Sequence, residues 1–315
     1  MNNKHLGLGA LAVVAALAMP GMASATDLTR FRTIFDTNFV AAGIGGMRAQ
    51  GTGSIELAGV TGTVTQAYLY WHGPSRTDPN GAGNSNVTFA GTSITGTFLG
   101  VSSDNCWGFS NSLAYRADVT SLITGNGTYA LADFIKTGVD INGASLIVFF
   151  DDGDDSNNRD VVLFNGNDSN ISNQFDALGW NITLAGIDYS SGEANAQFHV
   201  SDGQSFPDAA VIANGQTIAA AGAVFQGNTV PSAGRDNNGL LWDIRNFSVT
   251  SLLNPGLNTL NITSGQNSDC LSCVLIAIDL PAGAAPPDPN PVPEPGSLAL
   301  LGLSLAGLGW MRRRV

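Results

Sequence analysis

The 315-residue chain reads as an all-β protein of two tandem, duplicated units of β-sandwich or jelly-roll type, with an N-terminal signal helix and a short C-terminal transmembrane helix. Three observations carry this reading. Short apolar segments alternate with clusters of Gly, Asn, Thr, Ser and Asp, the texture of strands and turns in sheets packed face to face. Between the termini, long stretches with the 3.6-residue period of an amphipathic helix are missing. The second half then echoes the first: Val119-Thr120-Ser121-Leu122 returns as Val249-Thr250-Ser251-Leu252, 130 residues on, and Leu146-Ile147-Val148 as Leu275-Ile276-Ala277, 129 on. A hairpin pattern around Phe89 to Ile94 also recurs around Ile212 to Ile218.

The expected parts are a signal peptide (1–25), a first unit (26–170), a second unit (171–281), a Pro/Ala-rich linker (282–291) and a tail (292–315). Residues 26–46 are mixed, with Phe31, Ile34, Phe35, Phe39 and Val40 suiting either a short helix or an opening strand. A strand over 54–57 precedes one over 64–71, where Ala67, Leu69 and Trp71 fall on one face and Tyr68 and Tyr70 on the other. Large apolar groups on both faces predict a central strand covered on each side. A loop over 72–86 leads to a hairpin at 87–95 that turns at Ala90-Gly91-Thr92. Strands follow at 113–119, 128–131 and 144–150, and the unbroken apolar run 146–150 marks a strand buried on both faces. An acidic loop, 151–160, separates it from a strand at 161–164.

Both ends read as addressing segments. Lys4 and His5 precede an apolar run over 6–19, and Ala23-Ser24-Ala25 is a small-residue cleavage site placing the mature start at Thr26. At the other end Val292-Pro293-Glu294-Pro295-Gly296 precedes an apolar run over 297–311 and then Arg312-Arg313-Arg314. Such a run rises roughly 24 Å as a helix, a minimal span of a bilayer core. The arginines stay on the cytoplasmic side and place the preceding chain outside. This order of parts resembles the PEP-CTERM sorting signal of Gram-negative bacteria. The resemblance implies export across the inner membrane, tethering there, recognition of Pro293-Glu294-Pro295 by a membrane protease-transpeptidase of the exosortase family, and release to the surface or extracellular matrix. Removing Lys4, Arg312, Arg313, Arg314 and Glu294 leaves 24 acidic against 9 basic residues. That surface repels nucleic acid and anionic lipid and suits divalent cations or a hydrated exopolysaccharide.

Candidate chemistry is sparse. The densest ligand set is the 151–160 loop, where Asp152, Asp154, Ser156 and Asn158 or Asp160 alternate as the oxygen ligands of Ca²⁺ do, although the EF-hand pattern is absent. Cys106, Cys270 and Cys273 lie in an exported segment, so one disulfide is expected with its pairing open. Nucleophile elbows, metalloprotease helices and phosphate loops are absent. A Ser-His-Asp arrangement would have to use His72 or His199, and a glutamate pair only Glu56 and Glu193. Gly43-Ile44-Gly45-Gly46 reads as a turn, lacking the spacing of a dinucleotide site. Tyr68, Tyr70, Trp71, Trp107 and Trp180 are core candidates, with Trp107 the best placed for stacking on a sugar.

The mature part also resembles duplicated β-sandwich modules of uncharacterised bacterial surface proteins, through Ala67 to Trp71, Asp118 to Leu122, Ser145 to Val148 and Arg159 to Leu163. That resemblance implies an adhesin-like or matrix protein and brings no catalytic residues. The expected function is structural or adhesive, associated with exopolysaccharide or biofilm, with a calcium-dependent lectin-like module as the alternative.

Overall fold

A computed structural model describes residues 27–77, 79–81, 83–234 and 240–283. The expected signal helix, the sorting tail and most of the linker lie outside these residues. Among the described residues no α-helix forms, and no helix is long and apolar enough to cross a membrane. The first half contains β1 (Thr29–Ile44), β2 (Gly53–Leu57), β3 (Thr63–Ser75), β4 (Asn86–Phe89), β5 (Thr92–Thr95), β6 (Thr97–Ser102), β7 (Asn111–Asp118), β8 (Gly127–Ala132) and β9 (Gly143–Asp151). The second contains β10 (Arg159–Ser169), β11 (Asn181–Tyr189), β12 (Asn195–Ser201), β13 (Val211–Ala213), β14 (Gln216–Ala219), β15 (Trp242–Ser248), β16 (Gly256–Thr263) and β17 (Ser272–Pro281).

One large sheet runs β15-β12-β17-β10-β1-β9-β3-β7-β6, and two four-stranded sheets cover it, β2-β8-β4-β5 on the first half and β11-β16-β13-β14 on the second. The order β1-β9-β3-β7 thus has a counterpart in β10-β17-β12-β15, and the two small sheets share one order. The two Val-Thr-Ser-Leu segments hold matching places. Each forms a 3-10 turn, at Thr120–Leu122 and Thr250–Leu252. In each the valine N–H donates to an alanine carbonyl, Val119 to Ala67 and Val249 to Ala194, both at 3.0 Å. The same alanine's N–H donates to the following threonine hydroxyl, at 2.9 Å in the first half and 2.8 Å in the second.

The mixed segment at the start is a strand and not a helix. Residues 29–37 of β1 pair with β10 and residues 38–44 pair with β9, so one strand serves both halves. Just before the change of partner, between Ile34 and Thr37, the register slips and Asp36 takes φ 50°. Such an irregularity lets a strand bend and change partners. The large sheet folds back on itself about β1: β10 packs against β6 and β7, and β17 against β3, although none of these pairs are neighbours in the sheet.

Three apolar cores result, and strand alternation assigns side chains to them. In β3, Leu69 and Trp71 enter the core under the first small sheet, while Tyr68 and Tyr70 enter a middle core between the halves. In β9, Leu146 and Val148 go to the first and Ile147 and Phe149 to the middle. In the second half Val162 and Phe164 of β10 and Ile276 and Ile278 of β17 face the second small sheet, whereas Val161, Leu163, Leu275 and Ala277 face the middle. The period of two explains why these strands read as continuous apolar runs: both pleat faces are covered.

Gly43-Ile44-Gly45 is not a turn but the end of β1 and the bridge that follows it, and only Gly46, at φ 65°, bends the chain. Its glycine serves close approach. A Cβ on Gly45 would lie 2.2 Å from the carbonyl oxygen of Leu240, and one on Gly143 would lie 2.9 Å from Trp242 Cβ. The halves therefore meet backbone against backbone at this end.

Because Ile147 is fully buried in the middle core, Ile147→Ala is expected to cost about 2–5 kcal/mol. In urea titration it should shift one cooperative transition of the whole protein. Two separate transitions, only one of them moved, would show that the middle core does not couple the halves.

Candidate functional site

The densest buried polar constellation lies where the halves meet. Arg48 comes from the short 3-10 turn Met47–Ala49 after β1, Trp107 from the β6–β7 loop, Asn142 from just before β9, and Ser201 and Asp202 from the end of β12. Arg48, 8 % exposed, donates to Asn142 Oδ1 at 2.5 Å and sits 3.8 Å from an Asp202 oxygen. Its guanidinium lies 3.5 Å over the Trp107 ring. The Trp107 indole N–H reaches both Asp202 oxygens at 2.8 Å, and Asn142 Nδ2 donates to Ser201 Oγ at 3.0 Å and to Asp202 Oδ1 at 3.2 Å. Burial pushes the Asp202 carboxyl well above its usual range, against the pull of Arg48 and the Trp107 N–H. A buried ion pair of this kind holds together only because every participant is bonded to something else.

His72 and His199 both join such contacts. His72 Nδ1 lies 2.6 Å from Ser201 Oγ, and His199 Nδ1 lies 2.7 Å from Ser145 Oγ. Each pair spans the two halves. Burial lowers both imidazoles to about 3, helped at His72 by the Arg48 charge, so both are neutral at physiological pH. A serine nucleophile needs a histidine held by an acid and a path for substrate. Here the second nitrogen of His199 faces Gln197 Oε1 at 3.0 Å, and His72, His199, Ser145 and Ser201 have no solvent exposure. These geometries suit cross-bracing.

The disulfide joins Cys106 to Cys270, and Cys273 is a buried free thiol whose pKa burial raises. The bond links the β6–β7 loop to the β16–β17 loop, tying the halves beside Trp107. Asn105, at φ 57°, aims its Nδ2 at the Cys270 carbonyl and Ser272 Oγ, both at 3.1 Å.

The 151–160 loop does not gather its candidate ligands. Asp154 and Ser156 are exposed and Asp152 is half-buried. Asp152 Oδ1 caps the Asp154 N–H at 3.0 Å, and Asp154 Oδ1 takes the Ser156 N–H at 3.0 Å and its hydroxyl at 2.6 Å, which lowers the Asp154 pKa. These are the local Asx bonds that short acidic side chains make in turns. Asn158 and Asp160 are buried and turn the other way. Asn158 exchanges hydrogen bonds with Asp36 and Asn38 at 3.0 Å, and Asp160 Oδ1 accepts the Asp36 N–H at 2.9 Å. Alternation along the sequence therefore splits the set, with one part in solvent and the other clasping the bend in β1.

The aromatic candidates separate in the same way. Tyr68, Tyr70, Trp71 and Trp180 are at most 2 % exposed and belong to the cores. Trp107 is partly exposed, but Arg48 covers its ring. Nothing in the sequence marked Arg48, Asn142 or Asp202, since a single arginine or asparagine in a turn carries no pattern. The sorting residues Val292, Pro293, Glu294, Pro295, Gly296, Arg312, Arg313 and Arg314 lie outside the described residues.

The fold and its exported tail define a class: an all-β surface cargo carrying its own sorting signal. The chain belongs to the family described as Protein of unknown function (DUF3344), whose model matches residues 58–278, and the PEP-CTERM protein-sorting motif matches residues 291–314. The motif marks an exported, surface-sorted protein processed by exosortase. No curated protein matches the chain. Among solved structures it is similar to one described as "Structure of PNGF-II in C2 space group", at 10 % identity and a TM-score of 0.30, covering 80 % of this chain and 66 % of that one.

Two outcomes follow, one from the disulfide and one from buried carboxylates of the second half. Cys106→Ser is expected to lower unfolding free energy by on the order of 4 kcal/mol, because the bond closes a loop of 164 residues in the unfolded chain, and to lower Tm in scanning calorimetry. The second concerns pH. Burial raises Asp208 to about 6 and Asp269 to about 7, each only partly offset by backbone N–H donors. Since the folded values lie above the unfolded ones, their stabilisation is full below pH ~4 and is lost as pH rises through about 6 and then about 7. Urea midpoints from pH 4 to 8 should fall along that curve, and Asp269→Asn should flatten its upper part.

Proposed function

We propose that the mature chain is a non-enzymatic structural or adhesive component of the cell envelope or extracellular matrix, associated with exopolysaccharide or biofilm. In this reading it is built as two tandem copies of one β-sandwich unit. Sorting follows the route of the tail: tethering in the inner membrane of a Gram-negative cell, then exosortase processing at Pro293-Glu294-Pro295. The observation that carries the reading is the use of the polar side chains best suited to chemistry. His72, His199, Ser145, Ser201 and Asp202 have no solvent exposure and bond one half to the other. A rigid, cross-linked body with an acidic exterior suits a load-bearing place in a hydrated neutral polymer. The matching strand orders and the two equivalent Val-Thr-Ser-Leu turns support the tandem reading. The lectin-like alternative loses its support, because the acidic loop is split and the aromatic rings are buried or covered.

Deleting the protein from its host tests the role: reduced biofilm or floc cohesion, with unchanged polysaccharide chain length, is the expected result. Release of reducing ends from the host polysaccharide by purified protein would overturn it. For the tail, replacing Pro293, Glu294 and Pro295 with Ala should leave export intact and hold the full-length form in the membrane fraction. Immunoblots of fractionated cells check this, and an unchanged processed form would refute the sorting route.

A further inference from the structure

A second acidic group, remote in sequence from the 151–160 loop, does come together. Asp27 precedes β1, Asp168 lies near the end of β10, and Asp176 is on the loop between β10 and β11. One carboxylate oxygen from each falls within 4.8 Å of the others. Proximity of acids alone does not make a site. The independent observation is that Asp168 has no solvent exposure and neither of its carboxylate oxygens has a hydrogen-bond partner, while Asp176 Oδ2 is also buried and unpartnered. Leaving buried carboxylate oxygens unbonded costs several kcal/mol. The carboxylates of Asp176 and Asp27 beside it add repulsion between like charges.

The local backbone is arranged to hold this geometry. Across from Asp168 the β10–β17 register slips between Asn165 and Asp168, which re-aims the strand there. The Trp180 indole donates to the Asp168 carbonyl at 2.6 Å, fixing the end of the loop, and Asn173 Oδ1 accepts the N–H groups of Phe175 and Asp176 at 2.8 and 3.2 Å. Asp176 Oδ1 accepts the Leu178 N–H at 2.9 Å, which leaves the buried Oδ2 without a partner.

We infer that Asp27, Asp168 and Asp176 form a binding site for a divalent cation of Ca²⁺ size, pinning the first residues of the mature chain and the 170–180 loop to the end of β10. Oxygen-only ligands select a hard cation over zinc or copper. At Ca–O distances of about 2.3–2.6 Å, opposite ligands of one Ca²⁺ stand about 5 Å apart, whereas Mg²⁺ at about 2.1 Å spans only about 4 Å. Separations within 4.8 Å leave room for the larger ion, and Ca²⁺ accepts the irregular mixed shell of carboxylates and water better than Mg²⁺ does. Asp27 is exposed, so water completes the shell on that side.

The test uses the full-length chain, stripped with EDTA and titrated with CaCl₂ by calorimetry, with Tm read in parallel. One Ca²⁺ per chain and a higher Tm are expected. Asp27→Asn removes an exposed ligand without disturbing a core and should weaken binding about tenfold or more while leaving the Tm of the stripped protein unchanged. Asp168→Asn should abolish binding. Asp154→Asn, in the other acidic loop, should change nothing. Absence of heat and of any Tm shift at millimolar Ca²⁺, or binding lost in Asp154→Asn and kept in Asp27→Asn, would overturn the assignment.

Discussion

The structure depends on strands that bury both pleat faces at once. β3, β9, β10 and β17 each deliver alternate side chains to an outer core and to the core between the halves. A slip of one residue in any of them would exchange the two sets, sending Trp71 toward the middle or Tyr70 outward, and no partial compromise exists. Register in these strands is therefore held from two sides. The same requirement explains the small residues where backbones meet: with side chains filling the middle, Gly45 and Gly143 are what let the closing end come together.

The polar seam complements that apolar constraint. Apolar packing is tolerant of small rearrangements, whereas a buried Arg48, Asp202 and Asn142 cluster is satisfied in one arrangement only. Its net contribution to stability is small or negative after desolvation. Its effect is on uniqueness: any other docking of the halves would strand a charge. The His72–Ser201 and His199–Ser145 contacts act in the same direction with neutral partners.

Much of the architecture was legible because period-two alternation is a direct consequence of pleat geometry. The opposed faces of residues 67–71 and the double burial of 146–150 follow from side-chain order alone, as does the hairpin at 87–95. The opening segment was not legible, since Phe31, Ile34, Phe39 and Val40 suit two periods, and only the choice of partners, β10 and then β9, makes it a strand. Sites were harder to read for a related reason. Spacing along a loop suggested that Asp152 and Asp160 act together, but Asp152 bonds within its own loop while Asp160 turns to the bend in β1. Asp27, Asp168 and Asp176 have no sequence pattern at all, because what joins them is the pairing of β1 with β10 and the return of the 170–180 loop. Three cysteines allowed three pairings by count, and only tertiary proximity selects one.

That selection has a bearing on how the protein matures. Cys270 and Cys273 are separated by only two residues, so an unfolded chain meeting an oxidant would join these neighbours far more readily than it would join Cys106 to Cys270 across the whole molecule. The folded sheet reverses the preference by enclosing Cys273 in β17, where its thiol is shielded and poorly ionised. Strand assembly has to run ahead of oxidation, or an isomerase has to undo the short loop first. Either route ends with Cys273 as the free thiol inside the sheet.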